Sequence, residues 1–409
     1  MPRIKAFHAV RPPAELAETV ASVPYDVVNR AEAAALAEGN PNSFLHVIRP
    51  DIDLPEDVGA YDDIVYETAA ANLKKLMAQG ALSRDDTESL FLYRQIMNGQ
   101  PQVGLVCCSH VEDYENNLIL KHEKTRPAKE DDRTRHVTTL NAHAGPVFLT
   151  YRDVEAVNAF VDEALTTEPI YDFTAPDGVQ HTVWRITSPE AVVQAVSEVP
   201  QFYVADGHHR AASAWRAAEY RKSKNPAHTG QEEYNWFLTV LFPASQLKIL
   251  AYNRVVKDLN GHDAATLLSK LGEVGEVTAT TDPLPSAAGS FCVYVAGKWH
   301  RVTVPEAKID HADPINSLDV ALLENWVLQP ILGIDDVRTD ARIDFVGGIR
   351  GTGELEKLVD SGAWAVAFSM YPTSIEQLMS VSDAGEVMPP KSTWFEPKLR
   401  SGLFVHELD

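Results

Sequence analysis

Five consecutive residues in the middle of the chain have side chains that could carry out chemistry together. They are Asp206, Gly207, His208, His209 and Arg210. An aspartate binds a metal ion or accepts a proton, histidines titrate near neutral pH, and an arginine fork matches two phosphate oxygens. The alternative is that Asp206 is only a helix N-cap and the histidines are solvated. Because five such residues fall at one turn, we predict a site that binds a phosphorylated ligand.

The elements around these residues would position them for that task. Residues 201–205 form a short apolar run, which predicts a strand, and the alanine-rich residues 208–222 predict a helix. A strand, a tight turn and a helix together place free backbone N–H groups and the positive end of the helix dipole beside a glycine. This geometry is typical of phosphate binding.

A second cluster, between Lys121 and His136, is rich in basic residues. In so acidic a chain, a local excess of basic residues predicts a loop that faces an anion. The neighbouring cations favour ionisation of Glu123, which lies among them. For residues 129–136 a solvated charged helix is an equally good interpretation. We assign phosphate or nucleotide binding to the first part of the cluster, namely Lys121, His122, Lys124, Thr125 and Arg126.

A third cluster forms a proline-rich strap near the end of the chain, residues 388–402. Lysine ammonium groups and hydroxyl groups are donors for phosphate oxygens. The strap could close over the site, or it could pack through Trp394 and Phe395, and both can hold. The candidate donors in the strap are Lys391, Ser392, Thr393 and Lys398.

The composition excludes several classes of function. The 409 residues include 36 Lys and Arg against 58 Asp and Glu, for a formal net charge of -22. Such a charge opposes a phosphate polymer, so we expect no nucleic-acid partner. No window is apolar enough for a membrane span, the start lacks a secretory signal, and the three cysteines form no C-x-x-C pair. We therefore expect a soluble, cytoplasmic protein with no membrane partner.

The patterns along the chain predict an α/β fold with an α+β mixed sheet. Strand and helix patterns alternate, and hairpin signals at 98–99, 176–178 and 296–298 favour a mixed sheet over a parallel one. A strand is predicted at 43–48. Because the length exceeds what one core usually supports, we expect two or three packed lobes, and three possible lobes can be outlined. These are 1–150 (an N-terminal α/β lobe), 151–256 (containing the five-residue turn) and 257–409 (with the strap 388–402).

At these motifs the sequence resembles a large bacterial and archaeal family known as domain of unknown function 1015. The resemblance makes residues 1–409 one family-length unit, and it rests on short motifs at 24–27, 121–125, 206–210 and 388–402. The Asp-Gly-His-His-Arg run is also similar to the signature of the ParB and sulfiredoxin-like free-serine kinases. This likeness implies a ParB/sulfiredoxin-like nucleotide-binding core with additional lobes.

The resemblance also implies roles for individual residues. In those kinases the signature binds nucleotide phosphates and substrate, and an upstream glutamate acts as the base. Glu123 is the candidate for that base here. Two features depart from the pattern, because this chain is far longer and Asn253-Arg254 stands where the wider family has a His-Arg pair.

Together these features predict a phosphotransferase that moves a phosphate group from ATP or ADP to the hydroxyl group of a small serine-like metabolite. Mg²⁺ would assist, Glu123 would accept the hydroxyl proton, and Asp206 would bind the metal or the substrate. A non-catalytic, ParB-like nucleotide-binding switch is the alternative, and a metal-dependent hydrolase is a second one. The acceptor, the choice among ATP, ADP and CTP, and the oligomeric state stay open.

Overall fold

The computed structural model describes all 409 residues, which form two compact units. The first unit comprises Met1–Leu247 and Pro397–Asp409, and the second comprises Lys248–Glu396. These two units differ from the three lobes outlined from the sequence. The expected boundary at residue 150 falls inside the strand Val147–Tyr151, since strands from both sides of that position share one sheet. The expected lobe 257–409 combines residues of both units.

The regular elements alternate through both units. The strands are β1 Ile4–Lys5, β2 Val10–Arg11, β3 Ser83–Arg84, β4 Leu90–Met97, β5 Gln100–His110, β6 Ile119–Leu120, β7 Ala142–His143, β8 Val147–Tyr151, β9 Tyr171–Thr174, β10 Gln180–Ile186, β11 Phe202–Asp206, β12 Trp236–Pro243, β13 Ile249–Leu250, β14 Tyr252–Val256, β15 Glu276–Thr280, β16 Ser290–Val295, β17 Lys298–Thr303, β18 Ile343–Gly347, β19 Val366–Met370, β20 Trp394–Phe395 and β21 His406–Glu407. The α-helices are α1 Ala17–Val20, α2 Arg30–Ala37, α3 Leu45–Ile48, α4 Asp63–Ala78, α5 Val111–Glu115, α6 Pro127–Leu140, α7 Glu155–Ala164, α8 Glu190–Val196, α9 His208–Lys224, α10 Ala264–Val274, α11 Asp319–Leu323, α12 Thr352–Asp360 and α13 Ile375–Asp383.

The first unit contains a nine-stranded mixed sheet. Its order is β6-β11-β8-β12-β5-β4-β10-β9, and β1 pairs with β5 outside that path. Strand β11 is parallel to β6 and antiparallel to β8, while β8 is parallel to β12. This mixture of directions confirms the predicted α/β fold class with a mixed sheet. Strand β11, which carries the five-residue turn at its end, lies second from one edge.

Tight turns connect the hairpins as the sequence predicts. Between β4 and β5, Asn98 and Gly99 both have positive φ angles, 51° and 76°. A two-residue hairpin turn requires this conformation at both positions. Ala296 and Gly297 repeat it between β16 and β17, with φ angles of 50° and 75°.

One predicted strand is wrong. Residues 43–48 form no strand, and Leu45–Ile48 form the short helix α3 instead. The apolar side chains of this segment are buried in the core of the first unit. A short apolar run packs equally well as a strand or as a buried helical turn, so its composition does not distinguish the two.

Helix α9 presents a face of small side chains to the core. Its buried residues include Ala211, Ala214 and Ala218, at helical spacing, and they pack in the same cluster as Phe202 and Val204 of β11. Small side chains let a helix lie close to its neighbours. This packing fixes where α9 begins relative to the end of β11, and therefore fixes the turn between them.

The second unit contains an antiparallel sheet of six strands, in the order β15-β17-β16-β19-β14-β18. Its core includes Cys292, Trp299 and Leu355. The Asn253-Arg254 pair is buried in β14, where the Asn253 side chain accepts a hydrogen bond from the Met370 backbone N–H at 3.0 Å. No helix in either unit is both long and apolar enough to cross a membrane.

Candidate functional site

The predicted strand, turn and helix are present at 202–224. Gly207 links β11 to α9 with φ 94° and ψ 30°, a conformation that glycine adopts at no steric cost. Its N–H donates to Asp206 Oδ1 at 2.9 Å. No side chain caps the start of α9. The N-terminus of this helix therefore has the features that favour an anionic ligand.

Two basic side chains hold the carboxylate of Asp206. Lys398 Nζ lies 3.2 Å from Asp206 Oδ2, and the guanidinium of Arg210 lies 3.9 Å from the same oxygen. Burial by itself would raise the pKa of Asp206, but the charges of Lys398 and Arg210 outweigh it and hold the pKa well below its usual value. Asp206 is therefore ionised at neutral pH, and the predicted donor Lys398 lies at the turn.

Two neutral histidines pack together behind the turn. The rings of His122 and His208 meet edge to face, with centroids 4.5 Å apart. Burial lowers the pKa of His208 to about 4 and the pKa of His122 to about 3. The Nε2 atom of His208 is buried and has no hydrogen-bond partner. A buried ring nitrogen without a partner is costly, and a bound ligand would relieve that cost.

The segment 121–126 lies against the first turn of α9, so the second cluster meets the turn, as Lys398 of the third cluster also does. The backbone N–H of Arg126 donates to His209 Nε2 at 3.1 Å. Glu123 Oε2 lies 4.0 Å from His208 Nδ1, beyond hydrogen-bond length. The side chain of Glu123 is 36% exposed, which leaves its carboxylate accessible to a small molecule.

Arg210 is the most enclosed cation of the turn, with 12% of its side chain exposed. One terminal nitrogen donates to the carbonyl oxygen of Pro146, and its Nε atom is buried without a partner. A Cβ atom at Gly207 would lie 3.1 Å from the guanidinium carbon. Glycine at 207 therefore satisfies both the backbone conformation and the space that Arg210 needs.

The remaining predicted donors of the second cluster have varied surroundings. Lys121 lies over the ring of Tyr114, with Nζ 4.1 Å from the centroid, and burial lowers the pKa of Lys121. The hydroxyl of Thr125 donates to the carboxylate of Glu130. Lys124 and Arg126 are exposed. Binding roles for these residues stay predictions.

The strap 388–402 does not belong to one unit. Its residues up to Glu396 are part of the second unit, and only those from Pro397 onward are part of the first. Within the second unit, Arg254 donates to the Lys391 carbonyl at 3.0 Å, Ser392 donates to the Pro389 carbonyl at 2.6 Å, and Thr393 directly precedes β20. The phosphate-binding role of Lys391, Ser392 and Thr393 stays a prediction.

A role for one mostly buried basic residue, Arg133, was not predicted from the sequence. Residues 129–136 are helical, as one interpretation held, but the helix is not solvated on this face, because Asp132 and His136 are buried. Arg133 pairs with Asp132 at 3.0 Å and lies over the ring of Tyr25, 4.2 Å from the centroid. The signals in the sequence were the basic cluster 121–136, which contains Arg133, and the family motif at 24–27, which contains Tyr25.

The side chains at the turn suit phosphate groups better than a metal ion held by protein alone. No group of three or more His, Cys, Asp and Glu side chains is arranged to hold a metal ion. Mg²⁺ commonly takes one or two carboxylates and completes its shell with water and substrate phosphates. Asp206 fits that pattern, and the unpartnered Nε2 of His208 fits a phosphate oxygen.

Several solved structures are similar to this chain at low identity. They include SbnI with a C-terminal truncation from Staphylococcus aureus (12% identity, covering 74% of this chain and 87% of that one, TM-score 0.39). A free serine kinase in complex with AMP has 12% identity, 74% and 91% coverage and a TM-score of 0.36. A conserved hypothetical protein from Pyrococcus furiosus has 14% identity, 74% and 95% coverage and a TM-score of 0.35.

The family of this chain is identified by its sequence. No curated protein matches the chain. A family profile described as "Protein of unknown function (DUF1015)" matches residues 4–321, which is most of the chain. The chain therefore belongs to the DUF1015 family.

Proposed function

We propose that this protein is a nucleotide- and Mg²⁺-dependent phosphotransferase that moves a phosphate group from ATP or ADP to the hydroxyl group of a small serine-like metabolite. One observation carries the proposal. At the start of α9, the buried His208 Nε2 has no partner and lies in the same turn as an ionised aspartate, with Glu123 Oε2 4.0 Å from the His208 ring.

Phosphate binding follows from the donors at this turn. Phosphoryl transfer depends on positioning and on cations more than on covalent chemistry. Arg210 and Lys398 supply positive charge on either side of Asp206, and α9 contributes the positive end of its dipole. His208, neutral at pH 7 because burial lowers its pKa to about 4, donates or accepts a hydrogen bond without adding charge.

Glu123 is the proposed general base. A base must reach the proton that it accepts, and the exposed third of Glu123 faces solvent, where a small acceptor can enter. Glu123 would take the hydroxyl proton as the acceptor oxygen attacks the terminal phosphorus, and the bond from that phosphorus to the bridging oxygen would break to release ADP from ATP or AMP from ADP. Asp206 would hold Mg²⁺ together with the nucleotide phosphates, and Mg²⁺ when bound would neutralise charge on the phosphate oxygens.

A nucleotide-binding switch is the second candidate, and one observation favours it. Lys398 Nζ already lies 3.2 Å from Asp206 Oδ2, where a metal ion would bind. If Lys398 takes the place of Mg²⁺, the site binds phosphates without the metal that transfer requires. A metal-dependent hydrolase has less support, because a hydrolytic metal usually takes three protein ligands and no such group is present.

Phosphorus NMR separates the first two candidates. The protein is incubated with Mg²⁺, with ATP, ADP or CTP, and with a pool of hydroxyl metabolites that includes L-serine. A transferase produces a new phosphomonoester resonance that is absent without the pool. If calorimetry detects nucleotide binding but no new resonance appears with any nucleotide, the switch is the better description.

A further inference from the structure

The reaction steps proposed above assign no group to a cavity beside Arg210. It lies in the first unit and offers about 40 Å³ of room. Among the residues that line it are Tyr25, Arg133, His143, Gly145 and Arg210. A single water molecule needs roughly 10–15 Å³ of such room, so the cavity can hold about three water-sized groups.

The charged groups that line this cavity are cationic. Arg133 lies over the ring of Tyr25, 4.2 Å from its centroid, and Arg210 lines the same cavity as this ring. His136 and His143, which also line the cavity, add no charge, because burial lowers the pKa of each to about 3. No carboxylate is among the residues that line it.

Carboxylates do approach these arginines from elsewhere. The Oδ2 atom of Asp132 lies 3.0 Å from Nε of Arg133 and 3.0 Å from one of its terminal nitrogens. Asp206 lies 3.9 Å from Arg210, but it is shared with Lys398. The negative charge of Asp26 acts on the Tyr25 hydroxyl, but Asp26 itself is exposed to solvent. Each arginine therefore keeps hydrogen-bonding capacity that its carboxylate neighbour does not use.

Two residues of the cavity lining each have a buried nitrogen without a partner, namely Arg210 Nε and His143 Nε2. Most buried polar atoms in proteins are hydrogen-bonded, so an unpaired guanidinium N–H in the wall of a cavity indicates a missing acceptor. An anionic oxygen or a halide is the acceptor that a guanidinium binds most strongly. A water molecule beside such an anion would supply a hydrogen-bond partner for Nε2 of His143.

We propose that this cavity binds a compact monovalent anion, such as a carboxylate group or chloride, between Arg133 and Arg210. Its size excludes tetrahedral phosphate and sulfate, which have five non-hydrogen atoms. The anion has two possible sources. It is a free ion, or it is the carboxylate of the acceptor molecule, and the second source rests on the proposed function.

Calorimetry with sodium formate and sodium chloride, in a gluconate buffer, tests the site directly on the full chain. We expect one formate or one chloride to bind, and sulfate to bind at least tenfold more weakly. Absence of binding by both formate and chloride overturns the proposal, as does equal affinity for sulfate.

Gly145→Ala fills the cavity with little strain. A Cβ atom at this position would lie 3.5 Å from Ser401 Oγ and 3.7 Å from Arg210 Cδ, which are ordinary contacts. We expect formate affinity to fall at least tenfold while the melting temperature changes little. Gly353→Ala is the matched control, because a Cβ atom there meets nothing within 4 Å, and it should bind formate as the parent does. Unchanged formate affinity in a folded Gly145→Ala protein contradicts the proposal.

Tyr25→Phe provides a second test that does not change the backbone. The hydroxyl of Tyr25 is the group on which both arginine charges act. Its removal should weaken formate binding severalfold if the anion sits between the two guanidinium groups, and an unchanged affinity places the anion elsewhere.

The source of the anion is decided by steady-state kinetics with L-serine. If formate raises KM for serine and leaves kcat unchanged, the cavity holds the acceptor carboxylate. If formate binds but KM does not move, the site holds a free ion. A protein that binds formate yet transfers no phosphate refutes the proposed function and leaves the anion site intact.

Discussion

At the scale of single residues, Glu123 is the position where binding and catalysis can be separated. Glu123→Gln keeps the size and the hydrogen bonding of the side chain but removes its ability to accept a proton. If Glu123 is the base, turnover should fall by about a hundredfold or more, while nucleotide affinity changes little. Discontinuous activity assays measure turnover, and calorimetry on the same protein measures nucleotide affinity.

Glu219→Gln is the control for this change. Glu219 lies in α9, where it pairs with Lys222 at 3.6 Å and is half exposed. Its substitution should alter neither turnover nor affinity. Normal turnover by Glu123→Gln would mean that the base is another group, and Asp206 would then be the next candidate.

Arg210→Lys keeps the charge of the turn and removes the planar fork. A lysine ammonium cannot bridge two phosphate oxygens as a guanidinium does, so nucleotide affinity should fall by roughly tenfold. Arg216→Lys is the matched control on the same helix, because Arg216 pairs with Glu130 and Asp131 instead of facing the turn. Equal calorimetric affinity for both variants would give Arg210 a structural role only.

The sequence predicted the residues of the turn but not all of their neighbours. Residues 206–210 are contiguous, so their types alone indicated a site. Lys398 lies 192 positions from Asp206, and its distance from the carboxylate is set by the path of the chain between them. Arg133 was missed because its partners, Tyr25 and Asp132, are set by helix packing that no local pattern reveals.

At the scale of elements, the turn between β11 and α9 can be tested through its glycine. Gly207→Ala places a side chain at φ 94° and a Cβ atom 3.1 Å from the Arg210 guanidinium. We expect a loss of about 1–3 kcal/mol in the free energy of unfolding from the backbone strain. Nucleotide affinity should fall as well, because Arg210 must move.

Gly178→Ala isolates the backbone effect. Gly178 has a similar φ of 82° and also lies in the first unit. A Cβ atom added at this position would meet no atom within 4 Å. Urea unfolding should show comparable destabilisation for both variants, and calorimetry should show weaker nucleotide binding for Gly207→Ala alone. If the two variants lose affinity equally, the contact with Arg210 has no bearing on binding.

Elements with local signals were predictable and those decided by packing were not. The Asn98-Gly99 hairpin forms because both residues tolerate positive φ, which is a property of the residues themselves. Residues 45–48 became helix because their apolar side chains fill the core beside α4, and the same side chains would suit a buried strand. The packing of the surrounding core, and not the composition of the segment, therefore determines that it is helical instead of a strand.

At the scale of the whole molecule, buried histidines link stability to pH. Burial lowers the pKa of His122, His136, His143 and His181 to about 3, against an ordinary value of 6.5. The unfolded chain therefore binds more protons than the folded one as the pH falls below 6.5, and stability is lost in that direction. We expect the free energy of unfolding to fall by at least about 2 kcal/mol between pH 6.5 and pH 5, the contribution of one such group.

Urea unfolding at several pH values between 7.5 and 5 measures this dependence. His143→Gln should make the dependence shallower, because one titrating group is removed. His311→Gln is the control, since His311 is exposed and lies in the second unit. A free energy of unfolding that stays constant over this range would contradict the burial of these rings as neutral groups.

The division of the chain into units could not be read from its length. Length alone predicted several lobes, but the boundaries depend on which strands pair. Strands β8 and β12 pair with each other although residues 152–235 separate them, and β21 pairs with β7 from the far end of the chain. Such long-range pairings are set by the whole fold and leave no local pattern.

The second unit interrupts the first in the chain, so the first unit cannot be completed until the second has been synthesised. The ribosome makes residues 1–247 first, and it must then make all 149 residues from 248 to 396 before Pro397 emerges. At about 5–20 residues per second, this delay lasts roughly 7 to 30 s. During that time the nascent first unit lacks β21 and the apolar residues Leu403, Phe404 and Val405, which are buried in the finished protein, and Asp206 lacks Lys398. The nascent chain therefore exposes apolar surface that a chaperone would recognise, and the proposed phosphate site is completed only after the second unit has been translated.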